Sequence, residues 1–319
     1  MIKLGIIGNQ KQKESIEEST RRSGKFTVVQ AFESKATSWE EAYFSSEYDA
    51  FLQAVDAVVF CETGEWFAAM VEKALYNFKH IFTDGLKIEE SNRLREWGSL
   101  VYEAGVVFHA GNQLSVSPSF LSVWPYLRKS NWVDITLKLP IKDTAHFRSI
   151  LSQGIELALK SAIGGVESFH KKESRLFGLD FPEHFSLWME SAGGTTIQLT
   201  IDYSRNEKEI TGKFGTHERM FEVDFLAHKV WELQKNTENN SIGALFNNEN
   251  ELELHHLLPE IKKIPKQVIY FDSLSKELLN FWDNITHHLS PLTGINELVE
   301  VSVLCEKIYP ASGTYHTCP

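Results

Sequence analysis

The chain has 319 residues, an apolar fraction of 42%, a charged fraction of 24% and a net charge of −11, the profile of an ordinary globular protein long enough for two domains. The acidic balance argues against nucleic acid or an anionic membrane as partner, since both are met with basic surface, and no apolar run is long enough to span a bilayer. Cys61, Cys305 and Cys318 have no framework spacing and read as reduced thiols; with no room for a signal peptide before the first strand, a cytoplasmic protein is expected.

Residues 2–7 form an apolar run that predicts a buried strand, ended by Gly8, where the first turn of a dinucleotide fold lies. The fingerprint of that turn needs glycine at positions 8, 10 and 13. The chain supplies Gly8, then Gln10 and Lys13. A side chain at Gln10 stands where backbone should approach a pyrophosphate, and one at Lys13 props the helix away from the strand. Gly8, Asn9 and Gln10 are the candidate cofactor-binding turn. The helix that follows, to about Ser23, has Ile16 as its clear apolar contact, beside Ser15, Ser19 and Thr20, with Gly24 as cap. Lys11 and Lys13 are either a solvated helix face or, with the helix N-terminus, cations that attract a phosphate. The second strand, residues 26–32, is followed by Glu33. An acid there grips an adenosine ribose in dinucleotide folds; it reads equally as an exposed loop acid. A short connecting helix closes at residues 51–55.

Residues 55–118 then repeat one unit. A β-branched strand, 55–61, turns at Glu62-Thr63-Gly64 into a helix carrying Phe67, Met70, Val71, Ala74 and Leu75. A strand at 80–83 stops at Asp84-Gly85. A second helix runs over Leu94, Trp97, Leu100, Val101 and Ala104 and ends at Gly105. A third strand, 106–110, ends at Gly111-Asn112. Strands and helices alternating with short joints predict a parallel sheet with right-handed crossovers. Ligands bind beyond the carboxyl ends of such strands, so a site is sought at residues 62–64, 84–87 and 111–115.

After Pro118 the pattern changes. A linking helix carries Phe120, Leu121, Val123, Trp124 and Leu127. A strand at 133–139 opens a second domain, and a helix at 147–163 has Ile150, Leu151, Ile155, Leu157 and Ala158 on its apolar side. Strands follow at 185–190, 195–203, 209–214 and 220–226, the first two joined at Gly193-Gly194. Residues 234–250 are polar and predict a surface loop; helices at 274–287 and 296–309 end the chain. Successive strands without helices between them predict a mostly antiparallel sheet. The fold class is therefore α/β: a Rossmann-like, doubly wound parallel sheet over residues 1–120, then an α+β domain with a mostly antiparallel open sheet over 121–319.

Several segments recur in one order: Leu4-Gly5-Ile6-Ile7-Gly8, Val55-Asp56-Ala57-Val58-Val59, Ala74-Leu75 leading to Lys79-His80-Ile81, Gly111-Asn112 with Pro118, Ile155-Glu156-Leu157-Ala158, and Leu292-Thr293-Gly294 through Glu306-Lys307-Ile308-Tyr309. In that order and spacing, over nearly the whole chain, the sequence resembles the glucose–fructose oxidoreductase and inositol dehydrogenase family (Gfo/Idh/MocA). The resemblance implies NAD or NADP in the first domain, a small sugar-like or carbonyl substrate at the cleft between domains, and a homodimer through the open sheet. It also exposes departures. The family's Glu-Lys-Pro matches Asp84-Gly85-Leu86, so the lysine position holds Gly85. Its second-domain Asp and His match Ser149 and Gln153, its Thr-Pro matches Glu62-Thr63, and its arginine near the joint matches Ser115.

Removing hydride from an alcohol needs a base for the hydroxyl proton, and neither Ser149 nor Gln153 is one at neutral pH. Lys87, two residues past the lost lysine, and His146, on the same side of its helix as Ser149 and Gln153, are the candidate catalytic groups; an exposed lysine and a satisfied or exposed histidine are the plainer accounts. Glu33, Glu62, Thr63 and Asp84 join the glycine turn as cofactor-lining candidates. No set of three ligands arises around His255-His256 or His287-His288, so no metal is expected. Cys61 and Trp97 read as core, while Trp66 and Trp188 fit a cleft or an interface. Two functions follow: an NAD(P)-dependent oxidoreductase of this type, or a catalytically inactive relative that binds or scaffolds.

Overall fold

The computed structural model describes residues 1–32, 41, 44–61, 66–85, 90–127, 130–162, 164–175, 179–204, 206–217, 219–235 and 261–310. Strands β1 (Ile2–Ile7), β2 (Phe26–Phe32), β3 (Ala57–Phe60), β4 (His80–Thr83) and β5 (Phe108–Ala110) form one parallel sheet in the order β2-β1-β3-β4-β5. Its helices are α1 (Gln10–Ser23), α2 (Ser46–Ala54), α3 (Phe67–Tyr76) and α4 (Ser91–Ala104). Every residue of β3 is buried, as a strand covered on both faces requires. Gly24 and Gly105 end α1 and α4 in the left-handed region, at φ 64° and 62°, the conformation glycine adopts without strain.

Helix α5 (Pro118–Leu127) leads into an eight-stranded sheet. It comprises β6 (Ser130–Leu139), β7 (Val166–Ser174), β8 (His184–Ser191), β9 (Thr196–Tyr203), β10 (Glu209–Thr216), β11 (Met220–Asp224), β12 (Lys229–Lys235) and β13 (Ile261–Pro265). The order is β13-β12-β11-β10-β6-β9-β8-β7. All neighbours are antiparallel except β6 and β9. Helix α6 (Thr144–Ser161) covers one face, packing Phe147, Leu151 and Ile155 on Leu137, Leu187 and Leu199. Three of these strands lie outside the sequence expectation. In β7 the interior residues are all exposed, so an edge strand shows no alternation. Gln234 and Lys235, expected in a loop, finish β12, which pairs with the Lys-rich edge strand β13.

The last two helices return to the first sheet. On α7 (Ser273–His287), Leu274, Leu278 and Phe281 pack with Leu4, Ile6, Ile16, Phe26 and Phe82. That contact explains the sparse apolar stripe of α1, whose buried residues are Ile16, Ser19 and Thr20: small side chains let α7 approach. Helix α8 (Ile295–Ile308) belongs to both cores, with Ile295 and Leu298 beside Trp97 and with Val301, Leu304 and Ile308 in the core of the second sheet. Its Glu306 carboxylate accepts the Ser91 N–H at 2.6 Å and Ser91 Oγ–H at 2.8 Å, satisfying the first turn of α4.

Candidate functional site

The carboxyl ends of β1, β3, β4 and β5 converge on one edge of the first sheet. At β1 the turn is closed by its own side chains. Asn9 caps α1: its Oδ1 accepts the Gln12 N–H at 3.1 Å, and the Asn9 N–H donates to Gln12 Oε1 at 3.1 Å, a reciprocal capping box. Gln12 Nε2 then donates to the Cys61 carbonyl at 3.2 Å, bridging β1 to the end of β3. Gly8 is glycine for this reason: a Cβ there would meet Gln12 Oε1 at 2.8 Å and Cys61 Cβ at 2.9 Å. Gln10 instead donates to Glu14 at 2.9 Å along the outer face of α1, and Lys13 pairs with Glu17 at 3.7 Å. The solvated reading of Lys13 describes that pair.

After β4, Asp84 N–H donates to the Phe60 carbonyl at 2.8 Å. Gly85 has φ 90° with open space where a Cβ would point. The lysine position of the resemblance is therefore a left-handed turn that disfavours any side chain. Glu33, Glu62, Thr63 and Lys87 lie outside the described residues. His146 sits in the first turn of α6. Its N–H donates to the cap Asp143 at 2.7 Å, and its Nδ1 accepts from Lys142 N at 3.3 Å, so the ring faces its own helix start. Of the sequence candidates, the structure thus groups Gly8, Asn9 and Asp84 at the strand ends, turns Gln10 outward, and engages His146 within its own helix turn.

The best-developed polar constellation lies beside these, where β5 meets α6, α7 and the start of α8. Asn112 Nδ2 donates to Glu156 Oε2 at 2.5 Å, and Asn112 Oδ1 accepts the Leu114 N–H at 3.1 Å. Lys160 pairs with Glu156 and donates to Thr293 Oγ1 at 2.6 Å and Ser115 Oγ at 3.1 Å. Thr293 donates to Glu156 Oε1 at 2.7 Å. Glu156 is 2% exposed, so this ion pair stands only because its lone pairs and protons are met. Ser149 and Gln153 are bonded to each other at 3.4 Å, and Gln153 O accepts from Asn112 Nδ2 at 3.4 Å. Ser149 and Gln153 thus serve here as hydroxyl and amide contacts.

Glu277 on α7 completes the group. Its Oε1 accepts the Asn112 N–H at 2.6 Å, while its Oε2 is buried without a partner and lies 2.9 Å from where a Cβ on Gly111 would stand. Burial, offset partly by that N–H and reinforced by Asp84, pushes the carboxyl up to about 8. Behind it His109, stacked on Phe82 at 5.3 Å, is held neutral: burial, then Lys160, lowers it to about 3. Sequence reasoning missed Glu277, Lys160 and His109 as site groups. The signal was present for two of them. Glu277 occupies the apolar stripe between Leu274 and Phe281, and Glu156 and Lys160 stand four apart in an otherwise buried stretch.

No family model matches the sequence, and no curated protein does. Solved structures do match. UDP-N-acetylglucosamine 3-dehydrogenase GnnA from Acidithiobacillus ferrooxidans superposes with a TM-score of 0.78 at 15% identity over 96% of each chain. The dehydrogenase MviM from Clostridium difficile gives 0.75 at 15% identity over 96% of this chain and 98% of its own. The fold is that of the Gfo/Idh/MocA-type dehydrogenases. A further neighbour with this fold, GenD2 from gentamicin A biosynthesis, was determined in complex with NAD; it gives 0.69 at 13% identity over 98% of this chain and 95% of its own. The Gfo/Idh/MocA frame thus hosts NAD(P)-binding oxidoreductases. The first turn of this chain does not fit a pyrophosphate as it stands. Two of the amide donors that an anion would use are taken by the capping box, and the Gln12 side chain covers Gly8. Among the described residues no cluster of His, Cys, Asp or Glu could hold a metal, and no helix is long and apolar enough to cross a membrane.

Proposed function

We propose that this chain is a non-catalytic relative of the Gfo/Idh/MocA dehydrogenases, a binding or scaffolding protein that keeps the two-domain frame and takes a small sugar-like or carbonyl ligand between the domains. One observation carries the reading: Gln12 is bonded to Asn9 and to Cys61 across the turn where a dinucleotide would lie. The left-handed Gly85 at the lysine position supports it, as does the conversion of Ser149 and Gln153 to structural contacts. A homodimer belongs to the same reading. The face of the second sheet away from α6 carries half-buried Trp132, Trp188 and Trp231 in cross-strand register with polar residues, a mixed surface suited to a second copy.

The alternative is an NAD(P)-dependent oxidoreductase on a small sugar-like or carbonyl substrate. Likeness to dehydrogenases over 96% of the chain favours it. Glu33, Glu62, Thr63 and Asp84 would then line the cofactor, with Lys87 or His146 carrying the proton. Titration with NADH and NADPH, followed by cofactor fluorescence, separates the two. Absence of binding at millimolar cofactor is the expected result. Saturable binding would overturn the non-catalytic reading, and Lys87→Ala and His146→Ala would then be assayed for lost turnover.

A further inference from the structure

Helices α4 and α8 leave a groove of about 440 Å³ between them, lined by Arg95, Gly98, Tyr102 and Glu103 of α4 and by Asn296 and Val299 of α8. The helices run in opposite directions, Gly98 lying beside Ile295 and Ser91 bonded to Glu306. Two features of the lining are not explained by folding. Gly98 stands within α4, and glycine weakens a helix interior relative to alanine. A Cβ there would meet only Ile295 carbons at 3.8 Å, an ordinary contact. Packing therefore does not demand the glycine, whose effect is to lower the floor of the groove. Tyr102 is 88% exposed, the most exposed aromatic among the described residues, and it walls that floor. The polar groups are uncommitted as well. Arg95 gives one N–H to Asn92 Oδ1 at 2.8 Å, while the side chains of Tyr102, Glu103 and Asn296 make no hydrogen bond or ion pair among the described residues. Arg95 and Glu103 are eight residues apart, about 12 Å along the helix axis. A cation and an anion thus mark opposite ends of the groove, with Gly98 and the half-buried Val299 between them. A dianion would face Glu103 and a dication would face Arg95, so the lining suits a ligand charged oppositely at its two ends.

We propose that this groove binds a linear ω-amino acid, a carboxylate and an ammonium joined by an aliphatic chain. The carboxylate pairs with the Arg95 guanidinium, whose fork offers it two parallel N–H donors. The ammonium lies against the face of the Tyr102 ring, where the quadrupole attracts a cation, and donates to the Glu103 carboxylate and the Asn296 amide oxygen. The methylenes between them cover Val299 and fill the space over Gly98. Both charges stay close to water, so each pair is worth little and the affinity is millimolar. A ligand seated here touches α4, which belongs to the first domain, and α8, which serves both cores, so its binding adds to the stability of the folded chain.

The experiment is isothermal titration calorimetry of the full chain with 6-aminohexanoate at low salt, with hexanoate and hexylamine as ligands that carry one charged end each. The expected result is one site per chain, at least tenfold weaker binding of either control, and weaker binding at high salt. Arg95→Gln and Glu103→Gln, at exposed positions that leave the melting temperature in place, each weaken binding at least fivefold. Gly98→Leu, which fills the floor, abolishes it; should that variant not fold, the two charge variants decide. No saturable binding by the wild type, binding of hexanoate or hexylamine as tight as that of 6-aminohexanoate, or wild-type affinity in both charge variants overturns the proposal. The lining residues belong neither to the strand-end crevice nor to the open face of the second sheet, so the outcome does not depend on a nicotinamide or on a second copy.

Discussion

Glu277 and Asn112 are joined across 165 residues of chain by one hydrogen bond of 2.6 Å from the Asn112 N–H to Oε1, and the other oxygen of the same carboxyl is buried without a partner. The bond anchors α7 to the end of β5. The orphaned oxygen keeps the acid protonated, because an ionised group in that place would lack both water and a second donor.

Stability therefore depends on pH in a direction that can be worked out. The folded carboxyl sits at about 8 against an ordinary 4.5, so between those values the folded chain holds a proton that the unfolded chain has lost. Stability falls as pH rises through this window. Glu277→Gln, which can keep the bond to Asn112 N–H, is expected to match the wild type at pH 4.5 and exceed it by a few kcal/mol at pH 8, on the scale of about 1.4 kcal/mol per unit. Urea unfolding across that range checks it. Parallel pH profiles for the two proteins would sink the argument.

His109 sets the acid side. Its folded value is about 3 against an ordinary 6.5. Below 6.5 the unfolded chain binds a proton that the folded chain refuses, and stability is lost as pH falls towards 3. At pH 5 this amounts to about 2 kcal/mol. His109→Gln should flatten the acid limb in thermal melts between pH 4 and 7 while leaving the alkaline limb as it was. An unchanged acid limb would show that other groups govern it.

Gln12→Ala removes one half of the capping box, the Asn9 N–H to Gln12 Oε1 bond, and the bridge to the Cys61 carbonyl, while the residue-12 N–H keeps Asn9 Oδ1. The expected cost is about 1 kcal/mol, the usual value of an N-terminal cap. The same change uncovers Gly8 and releases the Asn9 N–H from the Gln12 side chain, so that it can face an anion. Dinucleotide affinity, measured by isothermal titration calorimetry against wild type, should rise in the variant. A stability loss with no gain in affinity would mean that the turn is closed for reasons beyond this side chain.

Glu156 holds Lys160, Asn112 and Thr293 together in the joint. Glu156→Ala leaves the Lys160 ammonium, whose side chain is 11% exposed, without its counter-ion. A loss of about 3–5 kcal/mol is expected, read as a lower midpoint in guanidinium. Replacing both partners, Glu156→Leu with Lys160→Met, should recover most of it. Failure of the double variant to recover would place the cost in the Asn112 and Thr293 bonds instead.

Much of the architecture was legible from local rules. Four-residue apolar runs such as Ala57–Phe60 are too short for a buried helix, glycines at 24 and 105 mark helix ends, and short joints force parallel pairing in the first third of the chain. The departures from the resembled pattern at Gln10, Lys13 and Gly85 were also visible as residue types. The edge strands β7 and β13, and β12 beside β13, were not, because a strand with solvent on both faces or near a rim has no clear period to read.

Which polar groups meet is a matter of how the elements pack. The residue pattern fixes Glu277 in an apolar stripe and sets Glu156 and Lys160 one turn apart. It could not say that α7 returns to the first sheet and brings Glu277 under Asn112, or that a capping glutamine would reach Cys61. Periodicity reports the face a residue occupies within its own element; the partner on the other side of that face is chosen by long-range packing, where burial removes water and makes each remaining hydrogen bond count.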